Sequence, residues 1–162
     1  MSITPYQPFP YRHSFGHAGT PAAAWRNELP IYFLMICAKY RANGPLLPHA
    51  SPLVESACAY HSTGRWFLHL FLLMPDHVHL LVPFPPDAAM ARTDGQWKHF
   101  LATRHGVQWQ RNFIDHRLRN AAKFSEKWFY IRMNPVRQAL VPAPDDWPHW
   151  VGYHPRTGMR LP

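Results

Sequence analysis

The amino-acid sequence predicts an α+β domain with a ferredoxin-like or RRM-like antiparallel sheet whose helices pack mainly on one face. Short apolar, β-prone runs alternate with segments of helical spacing in the order strand, helix, strand, strand, helix, strand, helix. The length of 162 residues suits one domain with a sizeable core. No run of about 18 uncharged apolar residues occurs, so we expect no membrane span.

The first half of the chain supplies three predicted strands and one helix. Residues 30–38 form a short apolar run, which predicts a central strand. Apolar residues at helical spacing predict a helix over 49–62, and Gly64 is placed to cap its C-terminal end. Residues 66–73 and 77–82 predict two further strands, which a two-residue turn of proline and aspartate should join as a hairpin.

The second half begins with a predicted helix over 87–105. An internal Asp-Gly pair allows the alternative of a short turn with the helix starting near Gln96. Residues 107–110 predict a short strand. These elements complete the alternating pattern on which the fold class rests.

A third helix is predicted over 121–133. Asn120 or Ser125 is placed to cap its N-terminal end. Pro135 should end the helix, because the residue before a proline avoids the α region.

Proline content divides the chain into three parts. Residues 1–29 are rich in proline without helical or strand periodicity, which predicts an extended N-terminal arm. Residues 30–141 hold all the predicted elements and form the expected functional domain. Residues 142–162 form a tail rich in proline and tryptophan, with Trp147 and Trp150 and also Tyr153 as expected packing anchors.

Charge and cysteine content indicate the type of binding partner and the cellular compartment. The formal charge of +8 and the pI of 9.9 favour nucleic acid as the partner over an anionic membrane surface. Cys37 and Cys58 are isolated, and we expect both to be reduced thiols rather than a disulfide or a metal site. The N-terminus lacks a basic start followed by an apolar block, so no secretory signal is expected and the cytoplasm is the expected location.

A pair of histidines one residue apart is the first candidate site. Successive side chains of a strand point to opposite faces, so His77 and His79 share one face of the third strand. Val78, Leu80 and Val82 share the other face, which we expect to be the core face. Two imidazoles held side by side can bind a metal ion. Two ordinary surface histidines are the alternative that the spacing leaves open.

The last helix offers a second candidate pair. Tyr130 and Asn134 are four residues apart and should project from one face of the helix. A carboxamide oxygen suits Mg²⁺ or Mn²⁺, and a tyrosine hydroxyl beside a bound cation can attack a phosphodiester. Periodicity alone favours the plainer alternative, in which Tyr130 is an interface aromatic with a satisfied hydroxyl.

Three motifs in order make a family resemblance specific. Residues 74–82 (MPDHVHLLV) resemble the HUH motif of single-tyrosine transposases. Residues 109–119 (WQRNFIDHRLR) and 130–137 (YIRMNPVR) are similar to the downstream signature of the REP-associated tyrosine transposases. The resemblance covers roughly residues 30–150.

The resemblance implies a catalytic domain over 30–141 that cuts and rejoins single-stranded DNA. By position, His77, His79 and Asn134 would bind Mg²⁺ or Mn²⁺, and Tyr130 would be the nucleophile. The family forms a 5′-phosphotyrosine link and a free 3′-OH, which can reverse the step. Its substrates are hairpins of repetitive extragenic palindromes (REP). The resemblance implies a prokaryotic protein, nucleoid-associated when bound to DNA, that acts as a monomer or a homodimer.

One departure from the family pattern lies after the last motif. The family usually continues with Ala-Gly-Leu-Val, whereas this chain has Gln138-Ala139-Leu140-Val141. Loss of the glycine is expected to alter the turn at the helix exit and affects none of the candidate catalytic residues.

Basic residues around the motifs are candidate phosphate contacts, and each should make DNA binding weaker as the salt concentration rises. A solvated helix charge is the alternative for every one of them. They are Lys98, Arg104, Arg111, Arg117, Arg119, Lys123, Lys127, Arg132 and Arg137.

Other functions fit the same residues less well. A histidine-triad nucleotide hydrolase would need a third histidine where this chain has Leu81. A zinc protease would need His-Glu-x-x-His on a helix, which the sequence lacks. The remaining alternative is a domesticated, non-catalytic protein that binds DNA hairpins, although such a protein has no need for two histidines, a tyrosine and an asparagine together.

Overall fold

The computed structural model describes residues 29–84, 90–154 and 159–162. The expected N-terminal arm therefore lies, except for residue 29, outside the described residues, as does the expected start of the second helix. Two short 3-10 turns, Leu47–His49 and Pro144–Asp146, accompany the main elements. These are β1 (Ile31–Cys37), α1 (Ala50–Ser62), β2 (Leu70–Leu73), β3 (His77–Pro83), α2 (Met90–His105), β4 (Ile114–Leu118), α3 (Ala121–Arg132), α4 (Asn134–Arg137) and β5 (Trp150–Gly152).

The five strands form one antiparallel sheet in the order β4-β1-β3-β2-β5. The first four strands follow the ferredoxin-like order, so the predicted α+β fold class is confirmed. Strands β2 and β3 form the expected hairpin, in which Leu73 pairs with Val78. Strand β3 is buried along its whole length, and β1 is buried at all of its residues except Tyr32 and Met35, which are half-buried.

Helices cover both faces of the sheet, which corrects the expectation that they pack mainly on one face. Helices α1 and α2 pack on the face that carries Leu34, Val78 and Leu80, as expected for the core side of β3. Helix α3 packs on the opposite face, against Leu70 and Leu81. Alternation along β3 thus sends apolar side chains into one core and the histidines into the other.

Two strands differ from the sequence prediction. The strand expected over 107–110 is only a single bridge between Ala38 and Trp109. The strand at this edge of the sheet is β4, which begins four residues after the end of the predicted one. Four of its five residues are exposed, so no hydrophobic alternation marks it, and pairing with β1 creates it. Strand β5 comes from the expected tail, and β2 begins four residues later than predicted.

Helix ends largely follow their local signals. The Asn120 side chain accepts a hydrogen bond from the Lys123 backbone at 2.9 Å and caps α3. Gly64 has φ +72° just beyond α1, as its capping role requires. Helix α2 runs without a break, so it does not start near Gln96. Helix α3 ends at Arg132, and the following proline lies in the first turn of the separate helix α4.

The exit of α4 keeps a turn that normally uses glycine. Ala139 has φ +54°, its N–H donates to Val136 O, and the Leu140 N–H donates to Pro135 O. These two bonds form a Schellman motif, whose left-handed position is usually glycine. The departure from the family pattern therefore leaves the turn in place, with alanine in a conformation that costs about 1 kcal/mol.

The C-terminal tail is part of the folded domain. Trp147 is buried, and its indole N–H donates to the Leu73 carbonyl at 2.8 Å. Trp150 packs on the α3 side of the sheet and Tyr153 on the other side. The expectation that these aromatic residues anchor the tail is confirmed.

Candidate active site

The sheet face beneath α3, which we call the site face, is defined by Phe33, Met35, His79 and Leu81. Register places Met35 opposite His79 and Phe33 opposite Leu81. His77 lies one step along the same face, opposite Cys37. The predicted sharing of one face by the two histidines is confirmed, and both rings are buried, which excludes a pair of ordinary surface histidines.

The two imidazoles face each other. Their Nε2 atoms are 3.0 Å apart and their planes are nearly perpendicular. On its other side, His77 Nδ1 lies 2.6 Å from Asp76 Oδ1, and Asp76 Oδ2 accepts a hydrogen bond of 2.5 Å from Arg41 Nε. The ring of His79 stacks on Phe33 at a centroid distance of 5.3 Å. The pair is therefore held in one orientation.

Burial makes both imidazoles neutral. Burial, with smaller contributions from the neighbouring His77 and Lys127, lowers the pKa of His79 to about 3. Burial also lowers the pKa of His77, against the opposing effect of Asp76. The carboxyl of Asp76 is itself ionised: burial would raise its pKa, but the bonds from Arg41 and His77 outweigh burial and lower it. Neutral imidazole is the form that binds metal ions.

The histidine pair fits a divalent cation. Two nitrogens that bind one ion at right angles through bonds of about 2.1 Å lie about 3 Å apart, as these two Nε2 atoms do. Because Asp76 is an ionised acceptor, the His77 proton belongs on Nδ1, and Nε2 carries the lone pair that a cation would take in place of the contact with His79. Within the described residues, histidine, cysteine, aspartate and glutamate form no cluster of three that could hold a metal ion, so a third protein ligand would be of another type.

Helix α3 carries the candidate nucleophile over the site face. Phe124, Trp128 and Ile131 are buried against the sheet, as their spacing predicts. With these three side chains packed on the sheet, Tyr130 is 40% exposed. Its ring centre lies 6.4 Å from that of His79. The histidine pair and the tyrosine therefore lie at one place, with the hydroxyl-bearing ring open to an incoming strand.

Asn134 lies at the start of α4, one turn beyond the tyrosine. Its side chain is buried, and Nδ2 donates to the Tyr130 carbonyl at 3.2 Å. This bond uses the amide nitrogen and turns the carboxamide oxygen away from the Tyr130 carbonyl. The oxygen is the atom that a hard cation would take.

Two cations flank the tyrosine ring. Lys127 Nζ and Arg137 Cζ each lie 4.8 Å from the Tyr130 ring centre. Lys127 Nζ is also 4.6 Å from the Phe33 ring centre. These cation–π contacts concentrate positive charge where a phosphate would approach.

Other candidate phosphate contacts are open to solvent. Arg117 and Arg119 line a depression beside β4 together with His116. This group forms a basic depression at the β4 edge of the sheet. The exposed members of the predicted set are Arg104, Arg111, Arg117, Arg119, Lys123 and Arg137.

Two of the predicted phosphate contacts, Lys98 and Arg132, are engaged in interactions within the folded domain. Lys98 is buried and donates to the carbonyls of Gln110 and Arg111 at 2.7 and 3.0 Å. Arg132 is buried, with Nη2 2.6 Å from Asp145 and its guanidinium 3.5 Å from the Trp150 ring centre. Both cations are therefore left out of the proposed DNA surface.

Sequence reasoning missed the residues behind the histidine pair. The sequence marks Asp76 only as part of a turn, and Arg41 lies 35 residues away in a loop. An acidic residue directly before a ligand-type histidine is the signal that could have found Asp76. No local pattern points to Arg41.

Comparison with known proteins confirms the resemblance that the motifs indicate. The chain is 28% identical over 139 residues to a curated protein of Haemophilus influenzae named provisionally as a REP-associated tyrosine transposase, covering 74% of this chain and 77% of that protein. A solved structure of a REP-associated tyrosine transposase bound to a REP hairpin superposes with a TM-score of 0.68 and 21% identity over 75% of each chain, which shows a shared fold. No protein-family model matches the chain.

Proposed function

The chain is a relative of the REP-associated tyrosine transposases, and on that premise we propose that it is a metal-dependent single-stranded DNA endonuclease and strand transferase. It cleaves at REP-type hairpins through a 5′-phosphotyrosine intermediate and rejoins the ends. The observation that carries this proposal is the position of Tyr130, whose ring lies 6.4 Å from that of His79 above the buried histidine pair. The hairpin substrate is suggested by the related structure, which is bound to a REP hairpin.

Tyr130 is the proposed nucleophile. Its oxygen attacks the scissile phosphorus, the bond from phosphorus to the 3′ oxygen breaks, the phenol loses its proton and the leaving 3′ oxygen gains one. The phosphate stays on the tyrosine as a 5′ link. The reverse attack by a 3′-OH restores the phosphodiester and the free tyrosine, so the step needs no external energy source.

The surrounding residues bind and orient the strand. His77, His79 and the Asn134 oxygen would hold Mg²⁺ or Mn²⁺, which when bound polarises the phosphate and stabilises the charge that develops during transfer. Lys127 and Arg137 beside the tyrosine ring attract the scissile phosphate. Binding at the nucleoid in a prokaryotic cytoplasm follows from such a substrate.

A labelled panel of hairpins with flanking single strands tests the proposal. The wild type, Tyr130→Phe and the control Tyr40→Phe, which changes another exposed tyrosine, are incubated with Mg²⁺ or Mn²⁺ and run on denaturing gels. We expect a covalent protein–DNA adduct with the wild type and Tyr40→Phe, and none with Tyr130→Phe, while all three bind hairpins equally.

Other results would change the assignment. Hairpin binding by the wild type without an adduct in either metal would favour the non-catalytic hairpin-binding protein. Absence of any binding at low salt would overturn the DNA assignment itself.

A further inference from the structure

We infer that Arg41 and Asp76 are positioning residues, which hold His77 with its Nε2 lone pair directed at a divalent cation. This inference rests on the metal site of the proposed function. Asp76 Oδ1 lies 2.6 Å from His77 Nδ1, and Arg41 Nε donates to Asp76 Oδ2 at 2.5 Å. The three side chains form one hydrogen-bonded chain that ends at the imidazole.

The carboxylate sets the tautomer of His77. An ionised carboxylate can only accept hydrogen bonds, so the neutral imidazole must carry its proton on Nδ1. The Nε2 atom then has a lone pair and faces His79 at 3.0 Å. A partner that fixes the tautomer and ring orientation is the usual support of a metal-binding histidine.

Backbone hydrogen bonds hold together the segments that carry Arg41 and Asp76. The Leu46 N–H donates to the Pro75 carbonyl at 3.0 Å, and the Ala38 N–H donates to the Asp76 carbonyl at 2.9 Å. The loop that carries Arg41 is thereby fixed to the turn that carries Asp76. The guanidinium and the carboxylate meet without a freely moving segment between them.

His79 lacks an equivalent support. Its Nδ1 atom is buried and has no hydrogen-bond partner in the described part of the chain. Packing on Phe33 orients its ring instead. Among the described residues, the side-chain hydrogen bonds that orient the pair therefore reach it through His77, so we expect metal binding to depend on Asp76.

The experiment compares Asp76→Ala and Arg41→Ala with the control Lys39→Ala. Lys39 is an exposed cation two residues from Arg41, so its removal changes the charge equally without touching Asp76. Histidine-selective ¹⁵N NMR of the metal-free protein reports the His77 tautomer, and calorimetric titration with Mn²⁺ reports affinity. Neither readout requires activity.

We expect the wild type and Lys39→Ala to show the Nδ1–H tautomer, and Asp76→Ala to populate the Nε2–H form. Mn²⁺ affinity should fall by about 10- to 100-fold in Asp76→Ala and by a smaller factor in Arg41→Ala. Thermal unfolding checks that each variant folds. If Asp76→Ala does not fold, Asp76→Asn carries the test: it should weaken Mn²⁺ binding, and affinity equal to the wild type overturns the inference.

The His77→Ala variant distinguishes failure of the metal site from failure of the positioning role of Asp76 and Arg41. If His77→Ala removes Mn²⁺ binding while Asp76→Ala changes neither tautomer nor affinity, the proposed metal site stands and the positioning role is overturned. If the wild type shows no Mn²⁺ binding that His77→Ala removes, the metal site fails and the inference fails with it.

Discussion

Lowering the pH from 7 to 4 should destabilise the metal-free protein through His79. Burial, with smaller contributions from His77 and Lys127 and an opposing one from Asp76, lowers the pKa of its imidazole to about 3. In the unfolded chain the pKa of a histidine is about 6.5. Between these two pKa values the unfolded state binds a proton that the folded state does not. The free energy of unfolding therefore decreases as the pH is lowered.

The size of the effect follows from the same two values. Each pH unit within the window contributes about 1.4 kcal/mol. The contribution is fully present above pH 6.5, and about 3 kcal/mol of it is lost by pH 4, which is a large part of the stability of a small domain.

Urea denaturation followed by tryptophan fluorescence measures this loss, with EDTA present to keep metal from the site. His79→Gln serves as the non-titrating reference at each pH. The difference in free energy of unfolding between wild type and variant should shrink by about 3 kcal/mol between pH 7 and pH 4. A difference that stays constant with pH would refute the reasoning, because it would mean that His79 titrates alike in both states.

Four further substitutions test other parts of the structure. Asn120→Ala removes the cap of α3 and should cost about 1 kcal/mol in urea denaturation; an unchanged midpoint would contradict the cap. Ala139→Gly relieves the left-handed alanine and should raise the free energy of unfolding by about 1 kcal/mol, whereas a loss would argue against the turn. Trp147→Phe leaves the Leu73 carbonyl without its donor and should lower the melting temperature through a loss of about 2 kcal/mol. Arg117→Ala should weaken single-stranded DNA binding and reduce its log–log salt slope by about 0.7; an unchanged slope would remove that residue from the DNA surface.

The central strands could be predicted because their sequence carries the signal of burial. The alternation of His77, Val78, His79 and Leu80 along β3 is enough to assign each side chain to its face. The spacing of buried residues on the last helix likewise indicates which of its side chains pack on the sheet and leaves Tyr130 outside that set. Local patterning suffices for a helix with one buried face and for a buried strand whose polar side chains share one face.

Edge strands and long-range polar contacts could not be predicted in the same way. Strand β4 is mostly exposed and polar, so only its pairing with β1 identifies it. Lys98 has the sequence context of a solvated helix charge, but the loop after α2 brings two carbonyls to its ammonium. The contact between Arg41 and Asp76 spans 35 residues and has no local signature.

The central claim is that Tyr130 becomes covalently linked to DNA at the histidine pair. Trypsin cleaves after Lys127 and Arg132, which releases residues 128–132 (WFYIR), a peptide with one tyrosine. After reaction of the wild type with a hairpin substrate and Mn²⁺, followed by nuclease and trypsin, mass spectrometry should find this peptide carrying a 5′-linked nucleotide. The modification should be absent with EDTA and in His77→Ala. A nucleotide attached to another residue, or an unmodified peptide under conditions that cleave the DNA, would contradict the account.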